Sequence, residues 1–315
     1  MDLPLWIWAS FIAFILGMLA LDLGVFNRKS HKIGVKEAAI WSGVWVALSL
    51  VFAAIVWNWQ GQQKGLEFLT GYVIEKSLSI DNIFVFVLIF SFFKVPAQYQ
   101  HRVLFWGVLG AIVLRGIFIA LGATLVKEFA WILYIFGAFL VFTGIKLLFN
   151  KEGEDEGDLS NNGVLKFLRS RMKITDAYDG QKFFTIQNGV RYATPLFLVL
   201  VLVEITDVIF AVDSIPAIFA VTQDPFIVFT SNILAILGLR SMYFLLADIV
   251  PRFIYLKLGL AIVLTFIGVK LLLLEVVKIP TALSLGVVIG VLTVAVIASL
   301  IKTKGQKPEK SVLDL

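Results

Sequence analysis

Long apolar runs separated by short polar segments form the dominant pattern of this chain. A transmembrane helix needs about 20 consecutive, mainly apolar residues, and several runs approach or exceed that length. The pattern predicts an all-α polytopic membrane protein, with the whole chain, 1–315, as a single transmembrane domain. We place nine transmembrane helices at about residues 5–23, 36–57, 67–93, 103–126, 129–149, 194–220, 226–246, 257–276 and 282–301.

Basic residues concentrate in alternate connections between these spans. The intervening connections hold few, namely Lys64, Lys127 and Lys278. The positive-inside rule then predicts an N-terminus outside the cell, a cytoplasmic C-terminus and a cytoplasmic loop at 150–193. Within that loop, Asn188-Gly189 lies between short apolar alternations, which predicts a β-hairpin.

Composition agrees with a membrane location. Hydrophobic residues make up 59% of the chain and charged residues 16%, and the mean hydropathy is +0.93. The net charge of +5 comes from basic residues clustered between spans, which indicates membrane topology rather than a nucleic-acid partner. The chain contains no cysteine, which excludes disulfides, thiolate metal sites and thiol redox chemistry. Both histidines, His31 and His101, fall in predicted loops.

Three charged positions recur at a nearly constant offset along the chain. The pairs are Asp81 and Asp207, 126 residues apart, Arg115 and Arg240, 125 apart, and Lys146 and Lys270, 124 apart. They define two repeat units, at about 67–149 and 194–276, of three spans each. Because three is odd, the copies cross the membrane in opposite senses, as in the inverted repeats of secondary transporters. Spans one, two and nine are then peripheral.

Carboxylates interrupt the first span of each repeat unit. The polar residues are Glu75, Asp81 and Asn82 in the first copy and Glu204, Asp207 and Asp213 in the second. A charge at the bilayer centre costs roughly 2.5–3.5 kcal/mol, so such residues usually serve an ion or proton pathway. Carboxylate and amide oxygens, without Cys or a His inside a span, suit a hard divalent ion: Mg²⁺, Ca²⁺ or Mn²⁺.

Helical spacing does not place all of these acids on one face. Glu204 and Asp207 are three residues apart and share a face, whereas Asp213 lies about 240° round from Asp207. Pro216 predicts a helix break that would turn Asp213 inward. In the first copy Glu75 and Asn82 share a face, and Asp81 does not.

The basic residues inside the spans offer a structural alternative. The acids could simply be ion-paired with Lys76, Arg115, Arg240, Lys146 and Lys270. That alternative leaves unexplained why both copies concentrate acids on their first span. We therefore interpret the acids as a cation or proton pathway, with Arg115 and Arg240 balancing charge. Asp22, at the end of the first span, is a further candidate.

Four stretches of the chain resemble one known family. Residues 75–86, 134–146, 203–220 and 226–246 resemble the TerC family of integral membrane proteins, and most closely its Alx-like branch. The resemblance covers most of residues 35–300. It implies a bacterial inner-membrane protein related to the LysE-type exporters, and it implies manganese export. It also implies that the metal-pathway acids are Glu75, Asp81, Glu204, Asp207 and Asp213.

These observations lead to one main prediction and two alternatives. The main prediction is a secondary transporter that exports Mn²⁺ as its substrate, by proton antiport, with no permanently bound cofactor and no enzymatic activity. Asn82 would be a neutral ligand, and no nucleotide-binding motif indicates ATP coupling. One alternative is an intramembrane carboxylate enzyme that uses Asp207 and Asp213. The other is a membrane scaffold or chaperone whose acids form structural ion pairs.

Overall fold

The protein is mainly helical, with one small β-hairpin. The computed structural model describes residues 3–21, 34–129, 131–149, 163–247, 249, 252–277 and 279–304. Within these ranges the elements are α1 Leu5–Leu21, α2 Val35–Gln60, α3 Gln62–Phe92, α4 Ala97–Glu128, α5 Ile132–Phe149, α6 Gly163–Arg171, β1 Phe184–Gln187, β2 Val190–Ala193, α7 Pro195–Phe219, α8 Pro225–Leu237, α9 Leu239–Leu246, α10 Leu256–Leu272 and α11 Thr281–Lys302. Asp22 lies outside the described residues.

Every predicted span coincides with a helix, and the seventh coincides with the pair α8 and α9. Among the described residues, six segments are long and apolar enough to cross a membrane: α2, α4, α5, α7, the combined α8–α9 segment and α11. Of the other three, α3 carries several charged residues, and α1 and α10 have 17 residues each. Many large apolar side chains point outward, including Leu50, Ile117 and Ile297. An apolar outer surface of this kind fits a lipid environment.

The helices α3 and α7 occupy the centre of the bundle. Helix α3 packs against α2, α7, α8 and α11, and α7 packs against α3, α4 and α5. Buried polar residues of α3 and α7, among them Glu75 and Asp207, therefore lie inside the bundle and not on its outer surface.

Glycines bring α5 and α10 into close backbone contact. A Cβ built on Gly268 would lie 2.7 Å from the carbonyl oxygen of Gly137. A Cβ on Gly144 would lie 2.8 Å from the carbonyl oxygen of Ala261. Small residues allow membrane helices to approach this closely.

The predicted β-hairpin is confirmed. Strands β1 and β2 pair antiparallel, and Gln187 is opposite Val190. Between them Asn188 and Gly189 have φ angles of 51° and 77°, the positive values that a two-residue type I′ turn requires. The segment before the hairpin docks onto the end of α3, where the Tyr178 hydroxyl donates to the Phe93 carbonyl at 2.8 Å. Burial raises the pKa of Tyr178 to about 12, so its hydroxyl stays a neutral donor.

Two local predictions were wrong. His101 lies in the first turns of α4 rather than in a loop. Helix α7 continues through Pro216 without the predicted break. Pro216 is only three residues from the end of α7, and its carbonyl still accepts from the N–H of Ala220. Few backbone hydrogen bonds of α7 lie beyond Pro216, so the helix tolerates the proline. A break occurs instead at Gly238, between α8 and α9.

Candidate functional site

A buried arginine joins acids from two helices at the centre of the bundle. Arg115, on α4, forms a two-pronged contact with Asp207 of α7: Nε to Oδ2 at 3.1 Å and Nη2 to Oδ1 at 2.8 Å. Its Nη1 donates to Oε1 of Glu75, on α3. Forked arginine–carboxylate pairs of this kind are among the strongest hydrogen-bonded contacts in proteins.

Two amides and a hydroxyl complete this cluster, which we call the central cluster. The Asn232 amide, on α8, donates to Glu75 Oε2 at 3.0 Å, and its Oδ1 accepts from Arg115 Nη1 at 3.2 Å. The Asn82 amide, on α3, donates to Asp207 Oδ1 at 3.3 Å. The Ser214 hydroxyl, on α7, lies 3.5 Å from Arg115 Nη1.

Helical spacing explains why these side chains meet. Glu75 and Asn82 are seven residues apart on α3, and Asp207 and Ser214 are seven apart on α7, so each pair shares a face. Helices α4 and α8 then contribute one polar residue each, in the middle of the helix. All six residues are at most 3% exposed. Two carboxylates and one guanidinium are thus enclosed together, with a formal charge of −1.

Two oxygens at or near the central cluster have no hydrogen-bond partner among the described residues. They are Asn82 Oδ1 and Glu204 Oε2. A buried polar atom without a partner costs about 1–3 kcal/mol. The carboxylate of Glu204, one helical turn from Asp207, lies against the backbone of α4 at Gly110, where an added Cβ would clash directly with its Oε1. Both oxygens are acceptors that a cation or a proton donor would satisfy.

Two other predicted site residues, Asp81 and Asp213, lie apart from the central cluster. The charge of Asp81 interacts with that of Lys257. Asp213 accepts from the Thr143 hydroxyl at 3.4 Å, and its charge interacts with that of Lys146. Among the predicted ligands, the structure therefore brings together Glu75, Asn82 and Asp207. Glu204 lies beside this cluster without a hydrogen bond to it, and Asp81 and Asp213 lie apart from it.

Of the two arginines predicted to balance charge, one belongs to the central cluster and the other does not. Arg115 is the centre of the cluster, whereas Arg240 Nη1 lies 3.4 Å from Nε2 of His101. In the described part of the chain, no group of three or more His, Asp or Glu residues is arranged to hold a metal ion. In this state the guanidinium of Arg115 occupies the space between the two acids.

Sequence reasoning missed two members of the central cluster, Asn232 and Ser214. Each is a polar residue inside a strongly apolar helix. Ser214 is also seven residues from Asp207, so the spacing rule that paired Glu75 with Asn82 could have found it. Asn232 has no such partner on α8, and only the fold brings it to Glu75.

Comparison with known proteins places the chain in a family. The model of the integral membrane protein TerC family matches residues 60–307. The chain belongs to the TerC family. The matched region contains every residue of the central cluster. Together with the six apolar helices, it makes the chain a multi-pass integral membrane protein.

Several curated proteins are similar to the chain over nearly their full length. The chain is 54% identical over 298 residues to "Uncharacterized membrane protein STKORF319" of Myxococcus xanthus, covering 95% of this chain and 93% of that protein. It is 54% identical over 300 residues to "Putative membrane-bound redox modulator Alx" of Escherichia coli strain K12, covering 92% and 93%. A Rickettsia bellii membrane protein is 42% identical over 295 residues, covering 94% and 97%. No solved structure matches the chain.

Proposed function

We propose that this TerC-family protein is a secondary transporter that exports Mn²⁺ across the bacterial inner membrane. Glu75 and Asp207 would supply the charged ligands, and Asn82 a neutral one. The observation that carries this proposal is the buried Asn82 Oδ1, which has no partner among the described residues and belongs to an amide already bound to Asp207. Carboxylate and amide oxygens are suitable ligands for a hard dication.

Arg115 would stand in for the metal ion when the site is empty. Two buried carboxylates without a counter-ion would be strongly destabilising, and the guanidinium prevents this by binding both. An incoming dication would take over those contacts and neutralise both acids, which frees the arginine to withdraw. The same acids could bind protons after the metal has left, which would couple export to proton entry.

The remaining acids would line the route on both sides of the central cluster. Helices α3 and α7 run in opposite directions in the proposed topology. Asp81 follows Glu75 by six residues and Glu204 precedes Asp207 by three, so both lie toward the proposed cytoplasmic end. Asp213 lies toward the opposite end. We therefore propose Asp81 and Glu204 for entry and Asp213 for exit.

We further propose nine membrane spans, an N-terminus outside, a cytoplasmic C-terminus, and an inverted repeat that relates α3–α5 to α7–α10. Contacts between α5 and α10 support the repeat. Adding the offset of 124 residues to Gly137 gives Ala261, and adding it to Gly144 gives Gly268. The observed contacts are Gly137 with Gly268 and Gly144 with Ala261, so exchanging the two units turns each contact into the other. A two-fold axis between the units has this property.

Radiolabelled Mn²⁺ flux in oriented vesicles tests the function. Asp207→Asn should lower the flux at least about tenfold, since it removes one of the two charges facing the ion. Asp176→Asn, which neutralises an exposed acid before the hairpin, should leave the flux unchanged. The measurement is repeated with and without a pH gradient to test antiport. Equal flux in native protein and Asp207→Asn would refute the assignment.

The enzyme alternative has weaker support. Two acids that share a proton need to be about 3 Å apart. Asp207 and Asp213 are six residues apart on a continuous helix, or about 9 Å along its axis, and they contact different helices. Their separation weighs against a catalytic pair.

A redox role is suggested by the name of the Alx relative. In this chain it could not use a thiol, because there is no cysteine. We propose that any redox effect follows indirectly from control of a redox-active metal.

A further inference from the structure

A partly buried lysine contacts the helix break in the seventh predicted span. Helix α8 ends at Leu237 and α9 begins at Leu239, with Gly238 between them at φ −81° and ψ 0°. The last carbonyls of a helix lack intrahelical donors. One of them, the carbonyl of Ala235, accepts from Nζ of Lys76 at 3.0 Å.

The surroundings of Lys76 are shaped to hold its ammonium at this point. Lys76 lies at the middle of α3, and within the described part of the chain no carboxylate is ion-paired with it. A Cβ built on Gly238 would be 2.8 Å from Lys76 Nζ and 3.1 Å from the Cβ of Trp45, so glycine leaves room for the ammonium. The carbonyl end of a helix carries a partial negative charge, which favours a cation there.

The same stretch of α8 connects Lys76 to the central cluster. Asn232, which binds Glu75, precedes Ala235 by three residues, or about 4.5 Å along the helix axis. Lys76 directly follows Glu75 on α3, so the two side chains leave neighbouring positions of one helix and both reach α8. Counting the charges of Glu75, Asp207, Arg115 and Lys76 together gives zero, whereas the central cluster alone carries −1.

We propose that Lys76 is a positioning residue that sets the cation affinity of the central cluster. Its ammonium, fixed by the Ala235 carbonyl at the break, opposes the binding of a dication at Glu75 and Asp207. Transport requires binding that is strong enough for entry and weak enough for release, and this nearby positive charge supplies the weakening. The inference rests on the function proposed for the central cluster.

Replacement of Lys76 by glutamine separates charge from hydrogen bonding. Lys76→Gln keeps an N–H donor for the Ala235 carbonyl but removes the positive charge. We expect the KM for Mn²⁺ flux and the Kd for Mn²⁺ binding in detergent to fall at least about tenfold. A unit charge about 10 Å from a dication at an effective dielectric near 20 would give more than about a hundredfold, so tenfold is the lower bound of the expected change. The maximal flux should fall too, because release becomes slower.

Three companion variants make the result specific. Lys76→Arg retains the charge and should keep a KM near the native value, whereas Lys76→Met removes it and should behave like Lys76→Gln. Lys127→Gln removes an exposed lysine at the end of α4 and should change neither KM nor Kd. Size-exclusion profiles and thermal melts establish that each variant is folded.

The outcomes separate this inference from the proposed function. Native protein that neither binds nor transports Mn²⁺ refutes the function, and with it the premise of the inference. Native flux together with an unchanged or raised Kd in folded Lys76→Gln refutes the inference alone. Failure of both neutral variants to fold, with Lys76→Arg native-like, assigns Lys76 a purely structural role and also overturns it.

Discussion

Removal of the Arg115 side-chain charge tests the central cluster most directly. Arg115→Met keeps an unbranched side chain but leaves Glu75 and Asp207 buried without their shared counter-ion. Removing one partner of a buried ion pair typically costs 3–5 kcal/mol. Both acids depend on this guanidinium, so we expect a loss in or above that range. At about 2 °C per kcal/mol, the lower end of the scale that suits a long chain, the melting temperature falls by about 6–10 °C.

Manganese should restore much of this loss. A ligand that binds only the folded protein adds about 2.7 kcal/mol of stability at a concentration 100 times its Kd. In Arg115→Met the metal ion no longer competes with a guanidinium for Glu75 and Asp207. At 100 times the Kd of the variant, Mn²⁺ should therefore raise the melting temperature of the variant by about 5 °C, and at the same concentration the rise in the native protein should be smaller.

Thermal melts in detergent, with and without Mn²⁺, measure both effects. Arg191→Met is the matched control, because Arg191 is an exposed arginine that stacks on Phe184 in the hairpin. That contact is worth about 0.5–1 kcal/mol, so the control should melt within about 2 °C of the native protein and should show no extra response to Mn²⁺. An Arg115→Met variant as stable as the native protein, or one that Mn²⁺ stabilises no more than it does the native protein, would refute the reasoning.

Glycine contacts provide two further predictions. Gly110→Ala places a methyl group against Glu204 Oε1, so the carboxylate must move and the Mn²⁺ flux should fall several-fold. Gly116→Ala, on the same helix, is the control: its methyl group meets only an ordinary contact at 3.4 Å, and the variant should transport normally. Gly268→Ala forces apart the backbones of α5 and α10 and should cost about 1–3 kcal/mol in a thermal melt. Gly286→Ala on α11, where no described atom lies within 4 Å of the added methyl, is its control, and equal melting of the two would contradict the predicted packing role.

The helices could be predicted because each apolar run is long, but some of their ends could not. Helix α4 begins at Ala97, six residues before the predicted span. Its first turns are polar, and they fold as helix because tertiary contacts satisfy them: Gln100 is fully buried and accepts from the Tyr243 hydroxyl at 3.0 Å. A window that measures apolarity cannot detect a helical turn stabilised by a partner 143 residues away.

The types of residue in the central cluster could be predicted, but only some of its members could. The seven-residue spacing of Glu75 and Asn82 correctly placed both on one face of α3. The spacing of Glu204 and Asp207 did not reveal that only Asp207 reaches Arg115, because this depends on how α4 packs against α7. The sequence also predicted a helix break at Pro216, whereas the break in the structure is at Gly238. Proline is a strong signal, yet Pro216 lies near the end of its helix, and the glycine at 238 gave no periodic signal inside an apolar run.

The difference between the two arginines suggests what the opposite state of the transporter looks like. Under the proposed repeat, the observed pair Arg115–Asp207 corresponds to Arg240–Asp81. That second pair is not formed here: Arg240 lies beside His101, and Asp81 interacts electrostatically with Lys257. If the two units exchange conformations during transport, Arg240 should approach Asp81 as Arg115 leaves Asp207.

The chain has no native cysteine, so the double variant Asp81→Cys with Arg240→Cys can be tested for cross-linking in an otherwise unchanged protein. Cross-linking that increases under an imposed Mn²⁺ gradient supports the exchange. Cross-linking that is equally absent with and without the gradient, in a double variant that still folds, contradicts it.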